Sequence, residues 1–158
     1  MKKIILLLSF FFAQVTFSQS TTIYMIRHAE KADASANPHL SEAGKIRAEK
    51  WKSFFIDIAL DFIYSTDYNR TRETAAPVAI SKRKEVVLYN PAEVSLEALI
   101  NKHPNKTLLI VGHSNTVPAQ INALLAREEF IAMKDSEFGN LYLIEIEGKE
   151  IKTTLRIL

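Results

Sequence analysis

Hydrophobic and polar positions along this chain follow two alternating periods. Residues 21–26 (Thr-Thr-Ile-Tyr-Met-Ile) form a short run that reads as a buried strand. A polar loop over residues 31–40 leads to Ser41, a good helix N-cap. Ala43, Ile46, Trp51, Phe54, Phe55 and Ile58 then recur at helical spacing and predict a helix whose aromatic stripe packs into the core. Residues 62–64 read as a second strand, and residues 71–80 as a helix with Pro77 in its first turn or at a kink. Residues 85–89 are β-rich and predict a third strand, followed by a short helix over 96–101. Residues 108–111 are continuously apolar, as a strand buried on both faces should be. A helix over 116–125 tolerates Pro118 near its start. Residues 141–146 and 151–157 flank Gly148 and read as a closing hairpin.

The order β-α-β-α-β-α-β-α-β-β predicts an α/β fold. The expectation is a three-layer α/β/α sandwich, with a mostly parallel central sheet and an antiparallel hairpin at its edge. No internal repeat, low-complexity tract, linker or lid-sized insertion interrupts the pattern.

The first eighteen residues stand outside this scheme. Lys2 and Lys3 precede an apolar stretch over residues 4–12, and Thr16-Phe17-Ser18 places small residues where a signal peptidase cuts. This pattern predicts a secretory signal peptide over residues 1–18, a single domain over 19–158, a periplasmic or secreted location and no stable membrane anchor after cleavage. Cleavage would remove two lysines and no acid, taking the formal charge from +2 to zero. The slight basicity therefore belongs to the export signal and gives no reason to expect a nucleic-acid partner. The chain has no cysteine, which excludes disulfides, thiol chemistry and thiolate metal sites.

The candidate chemistry lies at the C-terminal ends of the predicted strands. The first strand delivers Arg27 and His28, and the second delivers Ser65 and then Arg70. The third is followed by Glu93, and the fourth delivers His113, Ser114 and Asn115. In a parallel sheet these ends open onto one edge, where α/β proteins bind ligands. His39 and His103 lie beside Pro38 and Pro104 with no strand delivering them, and read as incidental. Two adjacent cations oppose a divalent metal, and no carboxylate cluster accompanies the histidines, so no metal is expected. Phosphoryl transfer suits the set better. A neutral imidazole can attack phosphorus, and guanidinium forks match phosphoryl oxygens.

These residues also carry a resemblance. Arg27-His28-Ala29 resembles the Arg-His-Gly motif of the histidine phosphatase superfamily, the phosphoglycerate-mutase-like phosphatases. Leu40-Ser41-Glu42-Ala43-Gly44 resembles that family's first helix start, Ser65 through Arg70 to Ala75 its second arginine motif, and Gly112-His113-Ser114 its second histidine motif. The resemblance implies that His28 is the nucleophile and that Arg27 and Arg70 bind the phosphoryl group. It implies further that His113 donates to the phosphoryl oxygens, with Glu93 as the candidate acid for the leaving oxygen and Glu97 as the fallback. No cofactor is implied. Ala29 departs from the usual glycine, and its methyl narrows the backbone's approach to phosphate. Missing cap insertions make a small cap-less member, not a mutase.

The expected function is an exported phosphatase that hydrolyses a phosphomonoester of a small molecule through a phosphohistidine on His28. The alternatives are a protein phosphohistidine phosphatase, or a module that binds phosphate without turnover. Specificity is expected from residues 31–38 and 127–138, with Tyr68 and Phe138 as possible entrance residues. Positive charge around His28 should lower its pKa and keep it able to attack at mildly acidic pH.

Overall fold

The structure, a computed structural model, describes residues 20–158. The expected leader over residues 1–18 lies outside the described residues. Six strands and four helices alternate in the predicted order: β1 (Ser20–Arg27), α1 (Glu42–Phe54), β2 (Phe62–Ser65), α2 (Asn69–Lys82), β3 (Val86–Leu88), α3 (Leu96–Lys102), β4 (Thr107–Gly112), α4 (Thr116–Leu125), β5 (Asn140–Glu147) and β6 (Glu150–Ile157). They build one sheet of order β3-β2-β4-β1-β5-β6. The β3-β2-β4-β1 part is parallel, whereas β5 and β6 run antiparallel.

Strand alternation sorts the side chains into two cores. Ile23 and Met25 of β1, with Leu108 and Ile110 of β4, face Leu96 and Leu99 of α3 and Val117 and Ile121 of α4. Ile26, Leu109 and Val111 point the other way, onto Trp51 and Phe55 at the end of α1 and onto Ala75, Val78 and Ala79 of α2. Both faces of the sheet are therefore covered, which is why β4 is apolar without a break. Gly148 takes φ +61 at the start of the two-residue turn joining β5 to β6, a conformation glycine adopts without steric cost.

The structure differs from the periodicity at several positions, among them Ala43, which is exposed at the start of α1. Helix α1 stops at Phe54, so Ile58 packs from the following turn and not from the helix. Ile46 is 61% exposed instead of buried, because α1 turns only one stripe, through Ala48 and Trp51, toward the sheet. Pro77 lies well inside α2, past its first turn, and the helix continues through it. Ser41 caps α1 as expected, its hydroxyl accepting from Gly44 N at 3.1 Å.

Candidate active site

The two central parallel strands, β1 and β4, lie side by side with Arg27 opposite Gly112. The ladder continues one step beyond the strand, where His28 N donates to Gly112 O at 2.9 Å. This pairing brings His28 and His113 together, with ring centroids 5.5 Å apart. They open into a cleft of about 640 Å³ whose lining also includes Arg27, Arg70, Thr66, Tyr68 and Lys31. Four of the five expected site residues therefore share one cavity.

His28 is nearly fully buried. Its Nδ1 lies 2.7 Å from the carbonyl oxygen of Ala29. A carbonyl only accepts, so Nδ1 carries the proton and Nε2 keeps its lone pair. Burial lowers the His28 pKa to about 3, with the charges of Arg27, His113 and Arg70 adding to the shift against the Ala29 hydrogen bond. The direction matches the sequence expectation, although burial outweighs the charges. At neutral pH the ring is an unprotonated base.

His113 is set by a chain of hydroxyls. Thr71 Oγ1 donates to the carbonyl oxygens of Thr66, at 2.8 Å, and Tyr68, at 2.9 Å, and it accepts from Thr66 Oγ1 at 3.0 Å. With its proton committed there, Thr66 Oγ1 is left to accept from His113 Nε2–H at 2.9 Å. Burial, then Arg70 and Arg27, bring the His113 pKa down to about 4. The tip of β2 thus holds a neutral His113 in one tautomer.

The two guanidiniums are held by different means. Arg27 Nη1 donates to the carbonyl oxygens of Lys134 at 2.8 Å, Glu137 at 3.1 Å and Asp135 at 3.3 Å, while its guanidinium lies 4.2 Å from the Phe138 ring centroid. Arg70 lies over the Tyr68 ring at 4.4 Å and reaches Ala36 O through Nη1 at 3.3 Å. Burial lowers both arginine pKa values, yet a guanidinium stays charged. Arg27 Nε and Arg70 Nε are buried with no hydrogen-bond partner among the described residues. Buried donors are rarely left unpaired, and two on residues lining one cleft suit an anion that carries several acceptor oxygens.

The backbone around His28 is tied from outside the cleft. A Cβ on Gly44 would lie 2.3 Å from Glu30 O, so only glycine lets α1 start this close to the first motif. A Cβ on Gly112 would meet Val117 Cγ2 at 2.9 Å, which explains the glycine before His113. Ala29 N donates to Thr74 Oγ1 at 2.9 Å. The Ala29 methyl is buried in a small cluster with Leu40 and Ala48, and its φ is not positive. The alanine therefore packs away from the anion site.

Glu93 sits elsewhere. The turn after β3 folds so that Glu93 N and Val94 N both donate to Asn90 O, and Asn90 Nδ2 donates to the Glu93 carboxylate at 2.8 Å. Asn90 and Pro91 reach the cleft, whereas Glu93 is exposed and does not line it, and Glu97 lies in α3. The carboxylates in the lining are Asp67, paired with Arg72 at 3.0 Å, and the exposed Asp135. Sequence reasoning missed Thr66 and gave no role to Thr71 and Thr74 of the second arginine motif, whose hydroxyls look like ordinary polarity until the register places them. It also missed the partners of two histidines. His39 pairs with Glu73, and His103 Nε2 lies 2.7 Å from Tyr64 Oη, so both are structural residues outside the cleft. Among the described residues no group of His, Cys, Asp or Glu is placed to hold a metal ion.

Residues 23–91 match the histidine phosphatase superfamily (branch 1). No curated protein matches the chain in sequence. Among solved structures, the chain is similar to the putative phosphohistidine phosphatase SixA from Agrobacterium tumefaciens, at 18% identity and TM-score 0.63 over 90% of this chain and 100% of that one. It is also similar to YhfR from Bacillus stearothermophilus, at 14% identity and TM-score 0.71 over 86% and 96%. A third is a phosphoserine phosphatase from Entamoeba histolytica in complex with phosphoserine, at 17% identity and TM-score 0.69 over 85% and 95%. At these identities the structures speak for the fold.

Proposed function

We propose, from the premise that this chain belongs to the histidine phosphatase superfamily, that it is an exported phosphatase acting on a phosphomonoester in two steps. The carrying observation is the protonation of His28: Nδ1–H is fixed on Ala29 O, and burial keeps Nε2 unprotonated. In the first step Nε2 attacks phosphorus, the P–O bond to the leaving group breaks, and the phosphoryl group rests on His28. Arg27 and Arg70 offset the charge on its oxygens, and His113 donates to them by turning its Nε2–H from Thr66 Oγ1 to the phosphoryl group. In the second step water attacks phosphorus, the P–N bond breaks, and inorganic phosphate leaves. The proton for the leaving oxygen has no well-placed source in Glu93. Asp67 is engaged by Arg72 at 3.0 Å, and Asp135 is exposed. Leaving groups that depart readily as anions, such as aryl oxides, are therefore favoured.

The same observation favours a second reading. A phosphohistidine substrate loses an imidazole that can carry its own proton and asks little of an enzymic acid. Export rests on the residue 1–18 pattern, and cleavage after Ser18 in the envelope fraction would support it.

The test is para-nitrophenyl phosphate turnover by the purified protein and by His28→Ala, without added metal. Hydrolysis that vanishes in a folded variant supports the reading. Equal rates remove His28 as nucleophile, and no turnover in either points to a phosphate-binding module or a highly selective enzyme.

A further inference from the structure

A second depression adjoins the cleft. It is a groove of about 380 Å³ between the turn after β3 and one face of α4, and it shares Pro91 and Thr116 with the cleft lining. Its walls are mainly Ala92, Leu96, Ala119, Ala123 and Leu124. The α4 residues follow helical spacing from Thr116 at the shared rim to Leu124, a run of about 12 Å along the axis.

The polar groups in the groove are mostly engaged within the protein. Ser95 Oγ accepts from Ala98 N at 3.1 Å as the cap of α3. Gln120 Nε2 donates to Val94 O at 3.2 Å and Pro91 O at 3.5 Å, and Gln120 Oε1 accepts from Tyr89 Oη at 3.4 Å. Gln120 thus fixes the turn against α4 and holds the groove open as a built feature. What remains for a ligand is apolar surface, with the Glu97 carboxylate exposed on α3. The neighbouring cleft is cationic, through Arg27, Arg70 and Lys31. A cationic pocket continuous with a long apolar groove complements an amphiphile carrying one phosphate.

We propose that this groove is the leaving-group subsite, and that the substrate is a phosphomonoester whose leaving group carries an extended apolar chain. This rests on the phosphatase reading for the word substrate, but the groove's affinity for such a chain does not.

The test titrates the purified protein with non-hydrolysable 4-alkylphenyl phosphonates, from the unsubstituted ring to the hexyl compound, by calorimetry. The expected Kd falls about twofold per added methylene, half the effect of the about fourfold gain that full burial gives. Ala123→Glu, on an exposed face of α4, should abolish that gain, and Ala119→Glu, nearer the rim, should do so from shorter chains onward. If both fold poorly, Ala123→Ser provides a milder version, with a reduced slope expected. A Kd independent of chain length, or a slope unchanged in Ala123→Glu, overturns the proposal. Turnover of para-nitrophenyl phosphate and of 4-hexylphenyl phosphate, which carries the chain, is read in parallel. Turnover with a flat slope keeps the phosphatase and removes the subsite, whereas a steep slope without turnover keeps the subsite and removes the phosphatase.

Discussion

The floor of the cleft and its rim are built differently. On the floor, His28, Arg27 and His113 hang from the two central strands, and each ring or guanidinium is oriented by hydrogen bonds to backbone or buried hydroxyls. At the rim, Asp67 pairs with the exposed Arg72 and Asp135 is exposed, 3.8 Å from Arg27 Nη2, while Glu93 lies exposed beyond the lining, held by Asn90. Phosphoryl transfer needs a fixed nucleophile and fixed cations, because its catalysis is largely positioning and charge stabilisation. The leaving group varies between substrates, and the rim and the α4 groove are where variation costs the fold little. A preorganised floor under an adaptable rim predicts that floor substitutions damage turnover of every substrate, and rim substitutions only of some.

The largest effect should come from the nucleophile. His28→Ala is expected to lower kcat/KM for an aryl phosphate on the order of 10⁴-fold or more, and a loss of less than tenfold would break the contrast at its base. Arg70→Ala should cost about 10²–10³-fold, as for other donors aimed at developing charge. Lysine should restore only part of this, since it lacks the planar fork. Thr66→Val removes the acceptor of His113 Nε2–H and should lower kcat about tenfold, the size of one hydrogen bond. Its discriminating readout is the pH profile, which should move, while Thr66→Ser keeps the wild-type profile.

Acidity separates floor from rim in another way. Both histidines have folded pKa values below the ordinary 6.5, at about 3 for His28 and about 4 for His113. The unfolded chain therefore takes up protons that the folded one refuses. Stability is full above pH 6.5 and falls as pH drops from there toward 4, by up to about 1.4 kcal/mol per pH unit for each histidine. Urea denaturation across that range should show the slope, and His28→Ala should reduce it. A flat profile would mean that the rings are charged or solvated in the folded state. At saturating substrate, kcat should show no acid limb from His28 above about pH 4. kcat/KM will instead follow the substrate phosphate, whose second ionisation lies near pH 6. The smallest effect belongs beyond the rim, outside the cleft lining: Glu93→Gln is expected to change kcat/KM for an aryl phosphate by less than about twofold. A hundredfold loss would return the acid role to Glu93.

The floor was legible in the sequence because its residues sit at the ends of apolar strands, and a parallel sheet sends all such ends to one edge. Arg27, His28 and His113 needed only that rule. Arg70 needed the helix start after β2 as well. Glu93 followed β3 as the others followed their strands, but β3 is a short edge strand, and the Asn90-centred turn after it faces Asn90 and Pro91 inward in its place. Nothing in the residue order reveals which side of a turn points to a cleft. The hydroxyl chain was hidden for a related reason, since Thr66 and Thr71 gain meaning only through the β2–β4 register that carries Thr66 beside His113. Ala29 departs from the usual glycine of the first motif, a change expected to be tolerated. Its methyl packs against Leu40 and Ala48, in a place that no local pattern indicates.

The central claim is that His28 carries the phosphoryl group between the two steps. Rapid mixing of the protein with para-nitrophenyl phosphate, an alkaline quench and intact-mass measurement with peptide mapping tests it directly. The account predicts a single added phosphoryl on His28 that appears within the first turnover, is lost on acid treatment and is absent from His28→Ala. Steady turnover with no phosphorylated protein at any mixing time, or a phosphoryl group that maps to another residue, would contradict it.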